Sequence, residues 1–484
     1  MTKANSILIA GAGEAGRSLL DEFKRRGLLD WIVGFADDDP AKAGFSLYGK
    51  SVLGGTKEIP RLAEQFNVKR LVIAMPSVSQ AAVKRLVGAV GVSMKISIIP
   101  SGEKYFDTVP LLPSLADVSV ADLLDREEAT IDVSVIQSGL SGKRVLVTGA
   151  GGSIGSEICR QLLKFNPEAV IALGRGEFSI YSLIRSLKEY TDYMAKSPNL
   201  FYRIADIKDK TMLAAVFAEF QPHIVFHAAA HKHVPLMEYN ELEALRNNVL
   251  GTINTLDAAA ENGSQRFVLI STDKAVRPAS IMGATKRLAE EAAAIYLGKN
   301  GLLTCAVRFG NVLGSRGSVI PLFMEQIKRG GPVTVTHPDV SRYFMTIPEA
   351  ALLVINAAAA ALGGETFVLD MGKPYKLSDV ACRLIELYGL TPHKDIGVAY
   401  TGLRPGEKLH EDIFHSAEGL EKTSNNKIWI KRRDEENGTK DMLQQLPSME
   451  THLTGDEVRS IIKRLVPDYT ESPKTAETAA RYIN

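Results

Sequence analysis

The sequence predicts an α/β protein of two doubly wound domains, and three observations carry that prediction. Two β-like runs each lead into a glycine turn and a helical stretch: Ile7-Leu-Ile-Ala-Gly11-Ala-Gly13-Glu-Ala-Gly16 and Arg144-Val-Leu-Val-Thr-Gly149-Ala-Gly-Gly152-Ser153-Ile154-Gly155. After each opening, β-like and helical segments alternate, as parallel strands joined by crossover helices do. The length, 484 residues, exceeds what one hydrophobic core usually organises.

The first domain spans residues 1–110. Its GxGxxG turn is followed by a helical stretch and by the run Trp31–Ala36, which ends at Asp37, Asp38 and Asp39. An acid about 20 residues past such a turn suits a ribose hydroxyl, so this domain reads as Rossmann-like. Further β-like runs cover Arg70–Ala74 and Lys95–Ile99. No catalytic group follows the turn. Two uses stay open: a nucleotide, such as NAD, held through Gly11, Gly13, Gly16 and Asp37, or an empty scaffold for subunit contacts.

Residues 111–140 read as a connector containing Val118-Ser-Val-Ala-Asp-Leu-Leu-Asp-Arg126. Residues 141–484 form the second domain, with a smaller Pro- and Gly-punctuated lobe mainly over 315–440. The polar C-terminal stretch carries one short helical pattern at Gly455–Leu465, with no readable role.

Composition excludes several classes of function. A net charge of +1 gives no field for nucleic acid or an anionic membrane. No apolar run is long enough to span a bilayer and no signal-peptide pattern is present, which predicts a soluble cytoplasmic protein. Cys159, Cys305 and Cys382 are scattered, unlike a disulfide framework or a zinc cluster. Three histidines, His227, His231 and His233, lie close together, but no carboxylate or cysteine completes a ligand set, so no metal is expected.

The chemistry lies in the second domain. Gly149, Gly152, Ser153, Ile154 and Gly155 sit where backbone N–H groups meet a pyrophosphate at a helix N-terminus. The next β-like run ends in Gly174-Arg175 rather than in an acid, which makes room for a 2′-phosphate and offers it a guanidinium. NADP is therefore the expected cofactor, with NAD possible. Asp206, beside Ile207, falls where domains that resemble this one place an acid against adenine, or else caps the following helix. Ala228, Ala229 and Ala230 leave space beneath a dinucleotide.

Ser271-Thr272-Asp273-Lys274-Ala-Val-Arg-Pro-Ala-Ser-Ile-Met282-Gly-Ala-Thr-Lys286 resembles the active-site segment of an extended short-chain dehydrogenase, with methionine in the tyrosine position of Tyr-x-x-x-Lys. Together with His227-Ala-Ala-Ala-His231-Lys232-His233-Val-Pro235 it resembles the nucleotide-sugar 4,6-dehydratases of bacterial polysaccharide synthesis, of the type acting on UDP-N-acetylglucosamine. The resemblance implies a hydro-lyase that oxidises C4 of the sugar, eliminates water across C5 and C6 and returns the hydride to C6. It also implies that Lys286 keeps a cofactor-binding role, that Asn248 supports the site from behind, and that His231 and Lys232 border the sugar. Asn248 could equally be a buried structural amide.

Asn311 and Arg316 match the segment that lays the nucleotide sugar across the cleft, Arg404 a pyrophosphate contact and Glu407 a contact to the nucleotide ribose, with Arg342 a further phosphate candidate, and a homo-oligomer is expected. Met282 carries no proton, so acid and base roles fall to Thr272, Asp273 and Lys274. Lys274 is expected as the C5 base, with burial and Lys286 lowering its pKa, and Asp273 as the acid at C6. The C4 base is either Thr272, acting as a relay, or Asp273. Departures from the resemblance are the missing membrane helices, Gly174-Arg175, and His410 where tyrosine is common. Two rivals remain: a nucleotide-sugar 4-epimerase, which needs the tyrosine, and a non-catalytic sensor of NADP and nucleotide sugar.

Overall fold

A computed structural model describes residues 6–25, 27–75, 86, 95–98, 116–117, 133–191, 199–388, 390–414, 419–423, 425–431, 440–449 and 453–471. The connector segment Val118–Arg126 lies outside them. The chain divides into two compact units, one comprising Met1–Glu127, Leu322–Thr334 and Asp379–Ala399, the other Glu128–Pro321, Val335–Ser378 and Tyr400–Asn484.

In the first unit the strands β1 (Ile7–Ala10), β2 (Ile32–Ala36), β3 (Ser46–Leu47), β4 (Lys50–Gly54), β5 (Arg70–Ile73), β6 (Lys95–Ile98) and β7 (Ala116–Asp117) form a sheet in the order β3-β4-β2-β1-β5-β6-β7. The helix Glu14–Arg25 buries Leu19, Leu20 and Phe23 in the cluster that holds Ile7, Ile9 and Phe35. Asp37 sits at the glycine turn, accepting the Ala12 N–H at 2.7 Å and a bond from Lys42 Nζ at 3.1 Å. Burial opposes its charge, yet these donors hold its pKa below the usual value.

The second unit is built on β8 (Arg144–Thr148), β9 (Ala169–Gly174), β10 (Asn199–Ile204), β11 (Ile224–His227), β12 (Arg266–Ile270) and β13 (Leu303–Arg308). They pair in parallel in the order β10-β9-β8-β11-β12-β13, followed by Thr366–Leu369, also parallel, and two antiparallel strands, Ile428–Lys431 and Leu420–Lys422. Alternate strand residues enter opposite cores. Leu146, Ile171, Val225 and Phe267 face the helices 210–220, 251–261 and 281–295. Val145, Val170, Phe226 and Val268 face the helices 133–140, 153–162 and 347–360. Burial on both faces is why these strands read as unbroken apolar runs.

Strand order reverses between β8 and β11, so a crevice opens at their C-terminal ends, where doubly wound sheets take ligands. The helix Ser153–Leu162 starts there, after a turn in which Gly149 has φ +63°. A Cβ on Gly149 would lie 2.6 Å from the Ala229 nitrogen, and one on Gly155 would lie 2.3 Å from the Gly149 carbonyl oxygen. Only glycine fits these positions.

The helix Gly455–Leu465 forms where its pattern predicts it, started by a capping box between Thr454 and Glu457. Val458, Ile461, Ile462 and Leu465 join the core beneath the helix Ile281–Ile295. Among the described residues no helix is long and apolar enough to cross a membrane.

Candidate active site

At the end of β12 the chain stays hydrogen-bonded to the neighbouring strand through Ser271 N to Val307 O (2.8 Å) and Asp273 N to Phe309 O (3.1 Å). It then turns through a short 3-10 helix, Asp273–Ala275, capped by Thr272. That turn puts three polar side chains together. Thr272 Oγ1 donates to Asp273 Oδ1 at 2.8 Å, and Lys274 Nζ donates to the same oxygen at 3.1 Å. Lys274 Nζ also reaches Asn311 Oδ1 at 3.2 Å and Glu411 Oε1 at 3.4 Å. The Asp273 side chain is 1% exposed, and its Oδ2 has no hydrogen-bond partner among the described residues.

The charge state of Lys274 corrects one expectation. Burial alone would depress its pKa, but Asp273 and Glu411 outweigh burial and raise it, and the cation opposing them is Arg342 rather than Lys286. At rest Lys274 is an ammonium. The depressed lysine is Lys286, which burial pushes down to about 8 against the pull of Glu290. Its Nζ donates to the Ile270 carbonyl at 2.7 Å, which fixes it under the end of β12.

Met282 and Lys286 both lie on the helix Ile281–Ile295, whose first turn is capped by Ser280. Met282 is 3% exposed and belongs to the hydrophobic core cluster of that helical layer. Asn248 sits in a π-turn, Arg246–Leu250. Its Oδ1 accepts the His231 N–H at 2.8 Å, and its Nδ2 donates to His231 O and to Thr285 Oγ1, both at 3.1 Å. It ties the loop after β11 to the active-site helix.

The proposed nucleotide-sugar residues separate into two groups. Arg316 donates its backbone N–H to Ser153 Oγ at 3.1 Å and Nη2 to Gly151 O at 2.5 Å, and Lys232 Nζ meets Ser315 Oγ at 3.3 Å. These contacts lay the 311–317 segment over the glycine turn. Arg342 instead pairs with Glu407 at 2.9 Å, both side chains 6% exposed, and Arg404 Nε reaches the other Glu407 oxygen at 3.0 Å. Burial disfavours the Glu407 charge, but Arg404 and Arg342 more than offset it and lower its pKa.

At the far end of the crevice Arg175 stands 3.8 Å from Asp206 and 3.9 Å from Glu243. Glu243 also binds Lys208 at 2.7 Å and His231 Nε2 at 2.9 Å. Asp206 accepts the Lys208 N–H at 3.0 Å, while the N-cap of the helix Lys210–Phe220 is Asp209. The capping alternative for Asp206 is therefore corrected: it belongs to this polar cluster.

The protein family described as polysaccharide biosynthesis protein matches residues 145–433. The chain belongs to this family. It is 47% identical over 418 residues to the capsular polysaccharide biosynthesis protein CapD of Staphylococcus aureus, covering 85% of this chain and 69% of that one. It is 33% identical to a UDP-N-acetylglucosamine 4,6-dehydratase (inverting) of Campylobacter jejuni and 34% identical to a UDP-glucose 4-epimerase of Rickettsia canadensis, each covering 57% of this chain and 78% of the relative. Among solved structures it is similar to Pen from Bacillus thuringiensis, with TM-score 0.56 and 31% identity over 64% of this chain and 99% of that one. The extended short-chain dehydrogenase fold is thereby shown.

Within this family frame, the sequence reasoning missed three acids. Glu411 lies four positions after Glu407 in one motif, and that spacing was its only signal. Glu290, one helical turn beyond Lys286, is buried with Arg308 at 2.7 Å and accepts from Ser271 Oγ at 2.6 Å. Glu243 left no local trace.

Proposed function

We propose that this family member is a nucleotide-sugar 4,6-dehydratase of the cytoplasm that converts UDP-N-acetylglucosamine to a 4-keto-6-deoxy sugar, with NADP as resident cofactor. The observation that carries it is the bonded Asp273–Lys274 pair at the end of β12, with Met282 packed in the core where an epimerase needs its tyrosine. The relative named as an epimerase keeps that reaction as the rival; the Campylobacter relative supports the dehydratase.

The switch-point crevice fits a dinucleotide, because the glycine positions leave backbone where any Cβ would intrude. Gly149, Gly152, Ser153, Ile154 and Gly155 would hold the pyrophosphate, Arg175 the 2′-phosphate, Asp206 and Ile207 the adenosine, and Ala228–Ala230 with Lys286 the nicotinamide end. A nicotinamide held there would supply the acceptor for the C4 hydride and its return to C6.

The remaining tasks are proton transfers, and they balance. Two protons leave the sugar, from the C4 hydroxyl and from C5, and two return, to the departing C6 hydroxyl and to C5. The Asp273–Lys274 pair is suited to this exchange. Once Lys274 has released its proton to solvent, the C4 proton taken up by the Asp273 carboxylate makes it the acid for the C6 oxygen, while the Lys274 amine, 3.1 Å away, takes the C5 proton and later returns it to C5. Burial of the pair under substrate favours the neutral amine and the neutral acid, since an ion pair loses most when water is excluded. Thr272, bonded to Asp273, gives the C4 proton a path to the carboxyl.

Incubating the protein with UDP-N-acetylglucosamine and weighing the product tests the proposal. Loss of one water supports it. An isomer of unchanged mass would establish the epimerase, and an unaltered ligand held tightly would establish a sensor.

A further inference from the structure

Glu411 is the buried acid that no step above uses. Its side chain is 4% exposed, and Oε1 lies 3.4 Å from Lys274 Nζ and 3.9 Å from Arg342 Nε. Its Oε2 is buried with no hydrogen-bond partner among the described residues, as is Asp273 Oδ2. One ammonium thus stands between two carboxyl groups, each keeping an oxygen unused. Buried polar atoms are rarely left so, and they mark places where a proton or a ligand arrives. The contact with Lys274 exceeds ordinary hydrogen-bond length, so Glu411 acts on it mainly through charge.

We infer that Glu411 is a positioning residue for Lys274, setting the pH at which that lysine releases its proton. The inference rests on the proposed dehydratase for its kinetic consequence, but not for the coupling itself. The groups facing Lys274 are Asp273 from its own turn, Arg342 from the strand Ser341–Arg342, Glu411, and Lys232 from the loop after β11, whose own pKa burial, Arg316 and Lys274 lower. Tyr343 faces Asp273 behind them. Of these, only Asp273 and Glu411 raise the Lys274 pKa. Asp273 is the proton partner on the same turn, and Glu411 meets the ammonium from a separate segment. Because the base is the neutral amine, a negative neighbour moves the rise of activity to higher pH.

Competitive acetylation with acetic anhydride across a pH series, read by mass spectrometry of the Lys274 peptide, reports the titration of Lys274 in the substrate-free protein. The side chain is 19% exposed, enough for a small reagent. Glu411→Gln is expected to move its midpoint to lower pH by about one unit, as loss of an opposite charge at this range does. Glu411→Asp, which keeps the charge on a shorter arm, should move it by less. The rising limb of kcat/KM should shift in the same direction in Glu411→Gln. An unchanged Lys274 midpoint in that variant, or a loss of rate with no movement of the limb, would leave Glu411 a packing residue and overturn the inference. A shifted midpoint in a protein that removes water from no sugar nucleotide would sink the proposed function and leave the coupling standing.

Discussion

Replacing Arg459 with methionine should destabilise the second unit strongly, and more at high pH than at low. Arg459 on the helix Gly455–Leu465 is 6% exposed and donates to Glu241 Oε1 at 2.9 Å, Glu238 O at 2.7 Å and Glu238 Oε2 at 3.2 Å. Glu238, fully buried, passes the connection on, since its Oε1 accepts the Ile281 N–H at 2.6 Å at the start of the active-site helix. Methionine keeps much of the volume but leaves two buried carboxyl groups without their cation. Breaking one partner of such a buried network costs about 3–5 kcal/mol. Burial already raises the Glu238 pKa against the pull of Ile281 and Arg459, and removing Arg459 raises it further. In the variant the folded state then binds more protons than the unfolded state above the ordinary glutamate pKa, so stability falls as pH rises through the raised value. Urea unfolding at pH 5.5 and pH 8 measures this: the penalty should be near the full figure at pH 8 and visibly smaller at pH 5.5. A penalty under about 1 kcal/mol, or one equal at both pH values, would refute the account of Arg459 as the cation of a buried carboxyl pair.

Protein purified without added cofactor should release NADP(H) on denaturation, and Arg175→Asp should shift preference towards NAD; release of NAD alone contradicts the assignment of Gly174-Arg175. Asp273→Asn and Lys274→Ala should each lower dehydration by roughly 100-fold or more with little change in substrate binding measured by calorimetry; activity within a few-fold of the parent in both would remove them from the proton chemistry. Met282→Ala should lower stability by about 2–5 kcal/mol through lost core packing while measurable turnover remains. Met282→Tyr should give no large gain, and a gain of orders of magnitude, or 4-epimer as product, would make the dehydratase untenable.

What the sequence shows of this protein is what local geometry determines. Gly149 and Gly155 are legible because their backbones leave no room for a Cβ, a constraint written in the residue type itself. The strand Arg266–Ile270 and the helix Gly455–Leu465 are legible because apolar period and caps lie within a dozen residues. The charge of Lys274 is not, because it depends on Glu411 and Arg342 arriving from other elements. Arg459 and Glu241 are 218 positions apart, and nothing in either neighbourhood announces the other. Asp206 fails differently. Two acids, Asp206 and Asp209, precede one helix, and only the backbone decides which of them caps it.

The position of Met282 bears on how the proposed dehydration would run without a tyrosine. Its helix starts where Ser280 and Glu238 cap it, and this first turn points the residue at 282 into the layer with Leu245, Val249 and Leu288. Proton chemistry there would demand a polar group in an apolar layer, at the cost of burying a hydroxyl. At the turn after β12 the cost of burial is offset by paired charges, although Asp273 Oδ2 and Glu411 Oε2 keep no hydrogen-bond partner among the described residues. Asp273 and Lys274 neutralise each other, Thr272 and Asn311 supply hydrogen bonds, and Glu411 and Arg342 add a second pair of opposite charges. Placing acid and base on adjacent residues also holds them 3.1 Å apart. An elimination needs an acid and a base in the same step, whereas an epimerisation needs only one group at the hydroxyl of C4. The side chains assembled at the end of β12 therefore suit the proposed elimination, which asks nothing of Met282 beyond its place in the core.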